Sequence, residues 1–136
     1  MEQAIFYVKG SASKPYRVTI ERDGTNLNAY CTCAAGSHGM CCKHRLRIFS
    51  GNPEGMLDPD LDLLRSIVDW IVGTDVELAL IELARAEDEF DAAKESLRHA
   101  QQSSPHKLQV RAEKSCEGAF EMLQQANRNL SNALRI

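Results

Sequence analysis

The stretch Cys31-Thr-Cys33-Ala-Ala-Gly-Ser-His-Gly-Met-Cys41-Cys42-Lys-His44 constrains the fold more than any other part of the chain, because it packs four thiols and two imidazoles into fourteen residues. Two thiols one residue apart, an eight-residue interval, and a thiol and an imidazole one residue apart give Cys31, Cys33, Cys42 and His44. Three sulfurs and one nitrogen form a complete tetrahedral shell for Zn2+, at about 2.3 Å to sulfur and about 2.0 Å to nitrogen. Four protein ligands leave no position for water or substrate, so the spacing points to a structural ion and not to catalysis. Cys41 beside Cys42, and His38 in the interval, allow a second ligand register.

C-x-C, a short loop and C-x-H together resemble the SWIM zinc finger family. The resemblance covers roughly residues 1–50 and nothing after them. It implies a β-hairpin leading into the first doublet, a helix opening at the second, and the four ligands on Cys31, Cys33, Cys42 and His44. Modules of that family are thought to bind DNA or other proteins, so the resemblance admits a nucleic acid or a protein as partner.

At 136 residues the chain can form one domain, or a small module with a second layer of helices. No apolar run reaches the roughly 18–20 residues of a membrane span, and Met1-Glu2-Gln3 lacks a signal-peptide start. No membrane association and a cytoplasmic location are the expectations. Four of the five cysteines fall within twelve positions, a crowding that suits metal binding better than disulfides in a reducing compartment.

Charge divides the chain. Residues 1–50 carry seven Lys or Arg against three acids, a net of +4, whereas residues 51–136 carry nine against sixteen, a net of -7. A zinc ion held by three thiolates adds about -1, which leaves the first half near +3. Only that half can attract a polyanion.

In order, Ala4–Val8 reads as a strand, Gly10–Pro15 as a loop, and Tyr16–Ile20 as a half-buried strand by its alternation. Asp23-Gly24 signals a tight turn, and Leu27–Tyr30 leads into the cysteines. Such a sheet is too small to stand alone, and metal binding would supply folding free energy of order 10 kcal/mol. Residues 34–40 read as a loop, and Cys42–Phe49 as a short helix stopped by Gly51 and Pro53. Leu46, Ile48 and Phe49 would pack on the sheet, with Lys43, Arg45 and Arg47 outside.

Asn52–Met56 reads as a linker, which places a zinc-binding module at 1–51 and a helical region at 52–136. Asp58 would cap, and Pro59 open, a helix carrying Leu61, Leu64, Ile67, Val68, Ile71 and Val72 at helical spacing, with Trp70 to its side. Thr74-Asp-Val-Glu77 is a capping-box pattern that opens a helix over 75–102, and Ser104-Pro105 opens another over 105–135. So short a break requires an antiparallel hairpin. Ala79, Ala86, Ala93 and Ala100 recur every seven residues in its first arm, and Ala112, Ala119, Ala126 and Ala133 in its second, the heptad of a coiled-coil seam. Val76, Leu80, Leu83, Phe90 and Leu97 face Cys116, Leu123 and Leu130 along that seam.

The fold class is thus α+β: a small antiparallel sheet with a metal site and short helix, then three helices dominated by the long hairpin. Leu78, Ile81, Val110, Phe120, Met122 and Leu134 lie off the alanine line and need a cover. Helix 61–72 would supply it as a three-helix bundle, and a homodimer through the hairpin is the other solution.

No phosphate loop, paired-carboxylate site or Ser/His/Asp set occurs. A cysteine nucleophile at Cys41 or Cys42, with His38 or His44 as base, has neither an orienting partner nor an oxyanion site. Cys116 reads as a small seam hydrophobe, while His99, His106 and the acids 87–91 read as solvated. Two binding readings remain. In one, Lys14, Arg17, Arg22, Lys43, Arg45 and Arg47 contact phosphates, with Tyr16 or Tyr30 near a base. In the other, the finger and the hairpin bind proteins, as an adaptor or assembly subunit.

Overall fold

A computed structural model describes residues 1–37, 42–103 and 105–134. Strands β1 (Glu2–Val8), β2 (Tyr16–Asp23) and β3 (Asn26–Cys31) form an antiparallel meander in the order β1-β2-β3. Asp23 pairs with Asn26 across a two-residue turn, and Gly24 takes the positive φ of 62° that such a turn requires. Alternation decides the faces. Ala4, Phe6 and Val8, then Val18 and Ile20, then Leu27, Ala29 and Cys31 are all buried, while Ile5, Tyr7, Arg17 and Tyr30 occupy the open face.

One turn of helix, α1 (Ala34–Ser37), occupies part of the expected loop. Helix α2 (Lys43–Phe49) follows, with Cys42 in extended conformation at its N-cap, and Ile48 and Phe49 enter the core as expected. Leu46 is half-buried against that core.

The expected linker is tied down. Lys9 N–H donates to Gly55 O at 2.8 Å and Leu57 N–H to Tyr7 O at 2.9 Å, so residues 55–57 bridge onto the outer edge of β1. Asp58 does not cap the next helix, because its backbone is still turning at φ 46°. Asp60 takes that place and accepts from Leu63 N–H at 3.1 Å, opening α3 (Leu61–Ile71) two residues later than the sequence suggests.

Helices α4 (Asp75–Ser103) and α5 (His106–Ala133) form the expected hairpin. The Thr74 hydroxyl accepts from Glu77 N–H at 3.4 Å, and the Glu77 carboxylate accepts from Gly73 N–H at 3.0 Å, a capping box displaced by one residue on its return bond. Pro105 stands at the N-cap of α5; Ser104 lies outside the described residues. The arms run antiparallel: a groove between them brings Glu82 and Glu89 of α4 together with Asn129 and Met122 of α5, and the rings of Phe90 and Phe120 meet at 5.4 Å. Ala79, Ala86, Ala100 and Ala126 are buried, and Ala93, Ala112, Ala119 and Ala133 half-buried, as small residues on a contact face should be.

The three-helix bundle does not form. Helix α3 buries Leu64, Ile67 and Ile71 and packs against α2, leaving Leu78, Ile81, Phe120 and Met122 exposed on the hairpin. Leu134, by contrast, is fully buried. One continuous core joins the sheet, α2 and α3 to the base of the hairpin through Val76, Ala79, Leu83, Ala86, Ala126, Leu130 and Leu134. Among the described residues, no helix is long and apolar enough to cross a membrane.

Candidate metal centre

The inward parity of β3 that buries Leu27 and Ala29 also turns Cys31 into the core. Thr32 then locks the doublet to β2: its N–H donates to Arg17 O at 3.1 Å, and its hydroxyl accepts from Arg17 N–H at 2.9 Å. Beyond Cys33 the chain folds back through α1, where Gly36 N–H donates to the Cys33 Sγ at 3.3 Å. A side chain at Gly36 would begin 2.3 Å from the Cys31 carbonyl oxygen, so the return is open to glycine alone. On the other side, the N-cap of α2 presents Cys42, and its second residue presents His44.

The donor atoms of Cys31, Cys33, Cys42 and His44 all lie within 4.8 Å of one another, and all four residues are buried. Cys31 Sγ sits 3.7 Å from His44 Nδ1. A tetrahedral shell with the sulfur and nitrogen distances given above has a sulfur-to-nitrogen edge of about 3.5 Å and a sulfur-to-sulfur edge of about 3.8 Å. The four side chains therefore fit a single ion with little adjustment. Tyr16 packs its ring on His44 at 5.2 Å between centroids, which fixes the imidazole plane.

Thiols brought this close share protons. A hydrogen bond from Cys31 is the main cause that pulls the Cys42 thiol down to about 4, aided by the backbone N–H and the charge of Arg45 and opposed by burial. The same hydrogen bond, with burial, pushes Cys31 far up. The lowering at Cys42 favours its thiolate, the form that binds a metal ion.

Of the cations singled out in the sequence, Arg45 departs furthest from expectation. It is fully buried, and its Nη1 donates to Ala29 O at 2.9 Å, so it cannot reach a phosphate outside. The helical period carried the signal: position 45 lies three and four residues before the buried Ile48 and Phe49, on the same face. Lys14 and Lys43 are exposed, Arg17 lies on the open sheet face, and Arg47 is half-buried. Arg22 is half-buried and reaches Glu2 at 3.4 Å. Arg17 and the α2 cations belong to different sides of the module, since α2 packs on the core side of β3.

His38 and Cys41, the alternative ligands, lie outside the described residues. Cys116 is half-buried on the hairpin, His106 is exposed, and His99 reaches Glu95 at 3.3 Å. No family model matches the chain, and neither does a curated protein or a solved structure.

Proposed function

We propose that this chain is a zinc-dependent, non-enzymatic binding module whose partner is nucleic acid. The observation that carries the metal half is the convergence of three buried thiols and one imidazole, with no carboxylate among them, on a site sized for one ion. Soft sulfur donors with an imidazole suit Zn2+ better than Mg2+ or Ca2+, and a closed set of four serves structure. The resemblance of C-x-C and C-x-H to a SWIM finger supports the same reading.

Charge and exposed aromatics support the nucleic-acid half. No Asp or Glu occurs between Gly24 and Pro53, whereas Lys43, Arg45 and Arg47 do. With Arg45 buried, Lys43, Arg47, Lys14 and Arg17 remain to meet phosphates. On the open sheet face Arg17 is the register partner of Tyr7, and the neighbouring Thr19 pairs with Tyr30, so an exposed guanidinium lies beside two exposed phenol rings. Rings so placed serve for stacking on unpaired bases.

Protein interaction is the second reading, favoured by the uncovered Leu78, Ile81, Phe120 and Met122 on the hairpin. The test is binding of labelled single- and double-stranded DNA and RNA to zinc-loaded protein at two salt concentrations, with metal measured on the same sample. Affinity that falls steeply with salt, and is lost in Arg17→Glu or in Lys43→Glu/Arg47→Glu, supports the nucleic-acid reading. Stoichiometric zinc without oligonucleotide binding transfers the function to protein partners.

A further inference from the structure

We propose that Arg45 is the built-in counter-charge of the metal centre, a buried cation that balances the anionic cluster formed when three thiolates take up one divalent ion. The inference rests on the metal reading above and goes beyond it by giving a role to a residue that is not a ligand. Three thiolates and a divalent cation sum to one negative charge, since His44 binds as the neutral imidazole. A buried anion of that kind is unfavourable without a partner.

Two placements point to Arg45 as that partner. It follows the ligand His44 directly and lies in the first turn of α2, behind Cys42. Its guanidinium is fully buried and donates to Ala29 O on β3, two residues before the ligand Cys31, so one side chain ties the two ligand-bearing elements together. Burying a guanidinium has its own cost, which a neighbouring anion offsets. A residue needed only for packing at this position would be served by Met or Leu, which fill the space without that cost.

The test separates charge from shape. Full-length protein is loaded with Co2+ to read the thiolate absorption bands, and its Zn2+ affinity is measured against a chromophoric chelator for wild type, Arg45→Lys and Arg45→Met. Both substitutions remove the guanidinium fork and keep an aliphatic stem, but only Lys keeps the charge. The expected result is a loss of about 10- to 100-fold in affinity for Arg45→Met, with the Co2+ bands unchanged and Arg45→Lys close to wild type. In a Cys33→His background the metal-bound cluster is already neutral, so the further cost of Arg45→Met should shrink toward nothing. Equal losses in Lys and Met, or no loss in either, overturn the proposal, the first by assigning Arg45 to packing and hydrogen bonding. An undiminished cost of Arg45→Met in the Cys33→His background also overturns it. Wild-type protein without thiolate-to-cobalt bands would remove the metal reading itself, and this inference with it.

Discussion

Cys31 Sγ and His44 Nδ1 stand 3.7 Å apart although they are thirteen positions apart in the chain, one held by a strand and the other by the first turn of a helix. An ion held across this contact would join the strand to the helix, so metal binding should add to the stability that the shared core already gives. Cys31→Ala and His44→Ala should each abolish stoichiometric metal and destabilise the sheet. Because Val76, Leu83, Leu130 and Leu134 belong to the same core, amide exchange should also rise at 76–86 and 126–134, yet stay slow around Phe90 and Phe120. Uniform protection of the hairpin in these variants would show that its base does not depend on the module.

Acidification acts on the thiol pair in a definite direction. In metal-free protein Cys42 is held at about 4 against an ordinary value of 9.0, while Cys31 is pushed above that value. The lowered group contributes stability that is complete above 9.0 and lost as pH falls through about 4. The raised group contributes stability below 9.0 that is lost at higher pH. Metal-free protein under reducing conditions should therefore gain denaturant resistance from about pH 4 to about pH 9 and lose it above. A midpoint that is flat across this range would exclude the shared proton.

Two glycines give opposite expectations from the same substitution. Gly36→Ala drives a methyl group against the Cys31 carbonyl at 2.3 Å, and overpacking of that kind costs about 1–3 kcal/mol. Gly118 lies inside α5 with nothing within 4 Å of a methyl group, so Gly118→Ala should stabilise by about 1 kcal/mol. Denaturation of the two metal-loaded variants beside wild type checks both signs.

Leucines on the hairpin should divide in the same way. Leu130 is fully buried, and Leu130→Ala should cost about 2–5 kcal/mol. Leu78 is 65% exposed, and Leu78→Ala should stay within about 0.5 kcal/mol of wild type in the monomer. A larger effect of Leu78→Ala that grows with protein concentration, read by sedimentation, would identify its face as the contact between copies.

Much of this arrangement was legible from residue spacing. The alternation in Tyr16–Ile20, the turn at Gly24 and the heptad alanines each impose one local geometry, and the strands and hairpin lie where those patterns put them. The spacing of the two doublets singled out the four residues whose donor atoms the fold brings within 4.8 Å of one another. Residues whose role depends on tertiary surroundings were not legible. Arg45 reads as a surface cation by its charge, which outweighs the helical period that places it with Ile48 and Phe49. Asp58 reads as a cap until its positive φ shows that the chain has not yet straightened into a helix. Asn52–Met56 has the composition of a spacer, and the bonds that Gly55 and the following Leu57 make to Lys9 and Tyr7 involve backbone atoms that nearly any sequence would provide.

Those same bonds decide in which direction the sheet can grow. With Tyr7 O and Lys9 N–H already engaged by Leu57 and Gly55, a strand from another molecule could extend β1 along its whole length only by first peeling this strap away. The chain thereby closes part of its own sheet edge against stacking into fibres, and Met56, packed against the core, helps to hold the strap down.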